Sequence, residues 1–218
     1  MKKRVISLLL VAAMTVGLVA CGSSSGDGKK SSASSDEKIL SVQTGPDPEI
    51  VDPALNSAID GGEMILHAFE GLLKLDENGD PEAGQAEKWE VSDDGLTYTF
   101  HLRDGLKWSD GSDLTAEDFV YSWQRVCDPN VAAPYASTVL GMVEAAAGDI
   151  EKLGVEAKDD KTFVVHLANP CPYFESIAAF ATLNPVQKAT IEANGDAWAT
   201  EADTYISNGP FYVAEWVP

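Results

Sequence analysis

The sequence predicts a mixed α/β fold of the α+β type, because strand-like and helix-like segments follow one another without regular βαβ repetition. Two segments carry this prediction. Residues 96–102 alternate apolar and polar side chains between two Asp-Gly turn pairs, which is typical of a half-buried strand. Residues 61–73 place apolar side chains three or four positions apart, which predicts a helix with one buried face.

The next strong helix signal begins at Thr115. Its hydroxyl can cap the first turn, and Asp118 stands three residues later, where the second member of a capping box belongs. The predicted buried stripe of this helix is Phe119, Val120, Trp123 and Val126. The other predicted elements are, in chain order, a strand at 39–42, a turn at Asn78-Gly79, a hairpin over 154–167, helices over 172–181 and 185–194, and a strand at 211–213.

The start of the chain has the layout of a secretory signal. Three cations at positions 2–4 precede an apolar run over residues 5–19, which is shorter than the ~20 residues that a membrane-spanning helix needs. The run ends in Leu-Val-Ala-Cys at 18–21, which resembles a bacterial lipobox. We therefore expect residues 1–20 to be removed and Cys21 to be acylated, although an ordinary signal peptide with an incidental cysteine is the alternative. Residues 21–38 are predicted to be a flexible tether, because their Gly, Ser and Lys composition buries little apolar surface.

Composition excludes several classes of function. The formal net charge is −20, and loss of the three cations at 2–4 makes it about −23, so nucleic acid is not an expected partner. About 180 residues remain after the tether, which is enough for one or two domains with real cores. Catalytic motifs such as Gly-x-Ser-x-Gly or His-Glu-x-x-His are absent from the sequence, which favours a protein that is not an enzyme.

Metal and disulfide sites are weakly indicated. The acidic and amide residues from Asp76 to Glu87 have calcium-loop spacing, but Pro81 stands where the sharp turn requires glycine, so we expect a plain hairpin turn and no metal. The three histidines are isolated in sequence and are expected to be structural. Cys127 and Cys171 are either paired in an oxidising compartment or free.

The longest distinctive stretch is LTYTFHLRDGLKWSDG at 96–111, continued by LTAEDFVYSW at 114–123. It resembles the family 5 extracellular solute-binding proteins, which serve ABC importers of peptides. Further segments at 51–53, 69–72, 133–137, 172–174 and 207–211 are similar to the same family and, in part, to its oligopeptide-binding branch.

The resemblance implies a periplasmic-binding-protein-like type II fold, in which two lobes close on the ligand. Residues 39–218 are then part of the family domain, with about 73–167 forming a smaller inserted domain. The second lobe is expected beyond residue 218, so the chain is expected to be either an N-terminal part of a longer protein or the product of a truncated gene. The implied protein is a monomer without cofactor, held by lipid at the outer face of the membrane, that passes a peptide to permease subunits.

The resemblance also implies the ligand contacts. On the matching positions, Ser57, Ala58 and Ile59 run beside the peptide main chain, Tyr135 lines the cleft, and Asn208 with Gly209 lies near the boundary of the lobes. Ser57 departs from the family, whose peptide binder has an acidic residue there. Alternatives within the family are a nickel, haem or oligosaccharide ligand; a signalling receptor and a surface hydrolase are the alternatives of other classes.

Overall fold

The structure, a computed structural model, describes residues 39–43, 45–144 and 149–217. The predicted signal peptide, Cys21 and the tether lie outside the described residues. From Gln43 onward the chain forms one compact unit. Residues 39–42 belong to neither sheet and have exposed side chains, so the strand predicted there is wrong. A strand-like segment such as 39–42 becomes a β-strand only where a neighbouring strand pairs with its backbone N–H and C=O groups, and no described strand does so here.

The first helix, α1, is Ile59–Ala68, and it buries Ile65 and Ala68. The prediction of helix as far as residue 73 is wrong for the last five residues, because Phe69 already has extended dihedral angles. The Asn208 side chain explains the end: its Oδ1 accepts from the Glu70 N–H at 3.2 Å and its Nδ2 donates to the Glu70 carbonyl at 2.9 Å. These are the backbone groups that another helical turn would need.

A short hairpin follows, with β1 at Leu73–Leu75 and β2 at Pro81–Ala83. The predicted turn at Asn78-Gly79 is confirmed, since Gly79 has a φ of +86°, which glycine adopts without steric cost. The Asp76 carboxylate accepts hydrogen bonds from the backbone N–H groups of Asn78 and Asp80. These bonds lower the pKa of Asp76, the largest contribution coming from Asp80. The carboxylate is therefore used to close the turn.

A four-stranded antiparallel sheet forms the centre of the described chain, in the order β3–β4–β6–β5. Its strands are β3 at Ala86–Val91, β4 at Thr97–Leu102, β5 at Val155–Asp159 and β6 at Thr162–His166. Strand β4 alternates half-buried and buried residues along its length, so the predicted strand and the predicted hairpin are both confirmed. Strand β3 was not predicted.

Helix α2, Ala116–Cys127, packs on strands β5 and β6 of this sheet. Its predicted capping box is present, with the Asp118 carboxylate accepting from the backbone N–H of Thr115 at 2.8 Å. The rings of Phe119 and Trp123 lie 5.8 and 5.4 Å from that of Phe163 on β6. The predicted stripe is confirmed, although Val120 is only partly buried at its edge.

Of the remaining helices, the two predicted over 172–181 and 185–194 are shorter than predicted, and the one at Ala136–Leu140 was not predicted. They are α3 at Ala136–Leu140, α4 at Phe174–Ala178 and α5 at Lys188–Asn194, with 3₁₀ turns at Ile150–Lys152, Ala181–Leu183 and Gly195–Ala199. Every helix among the described residues is too short or too polar to span a bilayer.

The strand predicted at 211–213 is wrong, because this segment has no regular structure. The Phe211 N–H donates to the carbonyl of His67 at the end of α1, and the Phe211 and Tyr212 side chains are exposed. A single backbone hydrogen bond to the end of a helix does not make this segment a strand of a β-sheet. The two described cysteines, Cys127 and Cys171, are buried and free, so the unpaired alternative is the one observed.

Candidate functional site

Four of the six predicted ligand residues line one cavity. The cavity has a volume of about 380 Å³ and lies between the start of α1 and the segment from α4 to the following 3₁₀ turn. Ser57, Ala58 and Ile59, called here the Ser57 wall, line the cavity, and Tyr135 lines it as well. None of the described residues that line this cavity carries a charged side chain, although the chain has 23% charged residues.

The main chain of this wall is only partly free. The Ala58 N–H donates to Asn56 Oδ1 at 3.3 Å, and the Ala58 carbonyl accepts from Asn56 Nδ2 and from the Gly62 N–H, both at 3.0 Å. The N–H and carbonyl of Ser57 and the N–H of Ile59 have no partner among the described residues. The groups that can pair with a ligand main chain are therefore those of Ser57 and Ile59, whereas Ala58 is occupied by its neighbours.

An aromatic pair closes one side of the cavity. Tyr135, at the start of α3, has its ring 4.9 Å from that of Phe180 at an interplanar angle of 83°, which is an edge-to-face contact. Sequence reasoning missed Phe180, and it also missed Leu66 and Leu75 in the floor. The spacing of Ile59, Gly62 and Leu66 on α1 was the available signal, since positions three and seven apart share one helix face.

Asn208 and Gly209 lie elsewhere, at the other end of α1, and are not among the residues that line this cavity. The Gly209 N–H donates to the Ala68 carbonyl at 2.7 Å. A Cβ at Gly209 would lie 2.6 Å from the carbonyl carbon and oxygen of Ala68, closer than real side chains approach. Together with the paired bonds between Asn208 and Glu70, these contacts tie the two segments together through the main chain.

The carboxylate of Glu70 adds a polar cluster to this tie. It accepts from Arg103 Nη2 at 2.5 Å and from Gln85 Nε2 at 2.6 Å, and Lys74 Nζ lies 3.9 Å away. The cluster joins the end of α1 to the start of the four-stranded sheet.

A buried carboxylate holds the chain that leads into the Ser57 wall. Asp52 accepts from both terminal nitrogens of Arg125, at 3.0 and 2.5 Å, and from Trp198 Nε1 at 3.2 Å. The Tyr205 hydroxyl donates to the carbonyl of Val51 at 2.7 Å. Burial, with a smaller contribution from Asp52, raises the pKa of Tyr205, so the hydroxyl keeps the proton that it donates.

Two further cavities adjoin the first. One of about 350 Å³ shares Leu66, Leu75 and Ala179 with it and extends along α1 to Glu70 and Pro210. The other, about 290 Å³, shares Asn56–Ala58 with the first cavity and is also lined by Asp47, Glu49 and Asp60. The Ser57 wall thus borders both an uncharged cavity and an acidic one.

Comparison with known proteins gives a single family. The model of "Bacterial extracellular solute-binding proteins, family 5 Middle" matches residues 80–218. The chain is 41% identical over 229 residues to the oligopeptide-binding protein OppA of Bacillus subtilis, which covers 99% of this chain and 41% of that protein. It is 38% identical over 188 residues to a probable deoxycholate-binding periplasmic protein, YgiS, of Escherichia coli, covering 83% of this chain and 35% of the relative.

Solved structures agree. Haemophilus influenzae OppA in complex with RPPGFSPFR matches at a TM-score of 0.75 and 39% identity, over 80% of this chain and 35% of that one. The predicted mixed α/β, periplasmic-binding-protein-like fold is thereby confirmed. The chain spans well under half of the length of these relatives, 41% for the Bacillus subtilis protein.

Proposed function

Because the chain belongs to the bacterial extracellular solute-binding proteins of family 5, we propose that it is part of the substrate-binding protein of an ABC importer, and that its ligand is a short peptide. The observation that carries the proposal is the unpaired N–H and carbonyl of Ser57 beside an uncharged cavity. An extended peptide can exchange two hydrogen bonds with one such residue, as strands do. The protein performs no chemistry on the ligand.

This mode of recognition explains how one protein could accept many peptides. Main-chain pairing at Ser57 and Ile59 is the same for every sequence, and the side chain of a neighbouring peptide residue enters the cavity beside Tyr135. Ser57 is neutral where the family's peptide binder has an acidic residue, so this wall carries no charge of its own for a peptide amino group. Asn208 and Gly209 act, in this proposal, as a structural tie near the boundary of the lobes.

Closure requires a second lobe. In the proposal, residues 73–167 form the inserted domain of the first lobe, and a region matching the rest of the relatives closes over the peptide. A ligand that touches both lobes favours the closed state, because it has contacts there that the open state lacks. We therefore expect residues 36–218 alone to bind a short peptide only at millimolar concentration or more weakly; a micromolar Kd in calorimetry would contradict this.

The location follows from the first residues of the chain. We propose that residues 1–20 are removed, that Cys21 is acylated, and that residues 22–38 tether a monomeric body to the outer face of the cytoplasmic membrane, near its permease. Labelled palmitate should enter the wild-type protein and not Cys21→Ser, which should leave the membrane fraction. Retention of Cys21→Ser in that fraction would contradict the anchor.

The test of peptide binding uses the complete gene product and two substitutions at one position. Ser57→Pro removes the N–H that the peptide carbonyl needs and should weaken tripeptide binding about tenfold. Ser57→Ala keeps the N–H and should bind within about twofold of wild type. Equal affinities for the two variants would show that the main chain of Ser57 is not used, and absence of peptide binding in the wild type would refute the function. The relative named for deoxycholate makes that steroid the informative second ligand.

A further inference from the structure

Apolar side chains line both the first cavity and the adjoining cavity of about 350 Å³, and the two cavities share Leu66, Leu75 and Ala179. We name this apolar surface the Leu66–Leu75 trough, formed by Ile59, Leu66, Leu75, Ala179 and Phe180. Ile59, Leu66 and Leu75 are 84%, 62% and 51% exposed, so large apolar side chains face the cavities instead of the core. Single exposed apolar residues are ordinary, but a group that lines a concave surface indicates something that binds there.

Local structure explains why the trough is open. Ile59 and Leu66 lie seven residues apart on α1, on the face that they share with Gly62. Gly62 has no side chain to fill the space between them. Leu75 is the last residue of β1 and approaches from the hairpin, and Phe180 comes from the segment that follows α4.

Charge decides which side chains suit the trough. Among the described residues, the first cavity has no charged side chain in its lining. The two charged groups that line the cavity of about 350 Å³, Glu70 and Lys74, lie 3.9 Å apart. A ligand Lys, Arg, Asp or Glu would lose hydration there without gaining an ionic partner, which is costly. An apolar side chain of the ligand pays no such cost of lost hydration, and it removes the exposed apolar surface of Ile59, Leu66 and Leu75 from water.

We infer that the Leu66–Leu75 trough selects peptides with a large apolar side chain at the residue next to the one that pairs with Ser57. The inference rests on the proposed peptide-binding function, and it names the preferred ligand class within it. Successive side chains of an extended peptide point to opposite sides, so a peptide along the Ser57 wall turns one side chain toward the trough and the next toward Asp47, Glu49 and Asp60.

The experiment uses the 218-residue chain with leucine methyl and backbone amide labels for NMR. Three blocked tripeptides serve as probes: acetyl-Ala-Leu-Ala-amide, acetyl-Ala-Gln-Ala-amide and acetyl-Ala-Lys-Ala-amide. The leucine peptide should shift the methyl signals of Leu66 and Leu75 at millimolar concentration, and the other two should need about tenfold more peptide for the same shift. The methyl signals of Leu140, which is exposed and lies outside both cavities, should stay in place.

Substitution gives a second readout. Leu75→Gln should remove most of the preference for the leucine peptide, whereas the matched control Leu140→Gln should keep it; both positions are solvent-exposed, so the fold tolerates the change. If the Ser57 amide responds to all three peptides and the methyl signals do not discriminate, the trough inference is wrong and the peptide-binding function stands. If no peptide shifts the methyl signals, the trough inference is overturned, and the proposed function is decided separately by tripeptide binding to the complete gene product.

Discussion

Replacing Gly209 by alanine separates two roles for the segment that contains it. The resemblance to the family places Gly209 near the ligand, whereas the structure places its backbone against the end of α1. The added methyl group would lie 2.6 Å from the carbonyl carbon and oxygen of Ala68 and 2.7 Å from the nitrogen of Phe69. All three neighbours are main-chain atoms, which cannot swing aside as a side chain can.

The expected cost follows from these contacts. Overpacking a site that must move backbone costs typically about 1–3 kcal/mol. The lost or lengthened hydrogen bond from the Gly209 N–H to the Ala68 carbonyl, 2.7 Å long in the structure, contributes to the same loss. For a folded body of this size, 1 kcal/mol shifts the melting temperature by about 2–4 °C, so Gly209→Ala should melt roughly 2–12 °C below wild type.

The assay is thermal and urea unfolding of the 218-residue chain without any ligand, followed by circular dichroism. Gly62→Ala is the matched control, because a Cβ there meets only Asn56 Nδ2, at 3.4 Å, and alanine favours helix by roughly 0.5–1 kcal/mol over glycine. It should therefore be as stable as wild type or more so. Equal melting temperatures for Gly209→Ala and wild type would refute the structural tie and return Gly209 to the list of ligand residues.

Three other predictions use the same chain. Asp52→Asn leaves the buried Arg125 without its carboxylate and should lower the free energy of unfolding, measured by urea titration, by about 3–5 kcal/mol. The control Asp113→Asn breaks the exposed pair with Lys107 and should change the free energy of unfolding by less than about 1 kcal/mol. Similar losses in the two variants would contradict the burial of the Asp52–Arg125 pair. Burial raises the pKa of Cys127 from 9.0 to about 11, so at pH 8 iodoacetamide should modify Cys127 only after unfolding, as read by peptide mass mapping. For the same reason the stabilising contribution of the Cys127 thiol is complete below pH 9.0 and is lost as the pH rises toward about 11. The free energy of unfolding of Cys127→Ala should therefore fall less than that of the wild type over this pH range. An equal fall in both proteins would contradict the raised pKa of Cys127.

Sequence reasoning succeeded where the signal is local. The turn at Asn78-Gly79 needs a residue with positive φ, and glycine supplies it at that position. The helix from Thr115 carries its own start signal, because Asp118 is close enough in sequence to bond the Thr115 N–H. Strand β4 shows its buried face by simple alternation, and Tyr98 on that face packs against Phe174 of α4.

Reasoning from sequence failed where distant residues decide. The end of α1 is set by Asn208, which lies 138 residues from Glu70 in sequence, and no local pattern shows that contact. Residues 39–42 and 211–213 have strand-like composition but no ladder partner among the described strands. Strand β3 is exposed along most of its length, so its side chains lack the alternation by which strands are recognised.

The candidate site shows the same division. Ser57–Ile59 and Tyr135 were named from family resemblance, and the structure brings all four to one cavity. Which backbone groups are free could not be read from the sequence, because Asn56 bonds Ala58 on both its N–H and its carbonyl only in the folded chain.

The two ties beside α1 have a consequence for binding. Asp52 fixes the chain before Ser57, and Asn208 with Gly209 fixes the chain after Ala68, so the helix that carries the Ser57 wall is held at both ends. A wall held in place before the ligand arrives loses little conformational entropy on binding, which favours affinity. Asp52→Asn and Gly209→Ala should therefore weaken peptide binding by the complete gene product even where the protein remains folded, although neither residue lines the cavity. If both variants bind as wild type does at a temperature where they are fully folded, the Ser57 wall does not depend on these ties.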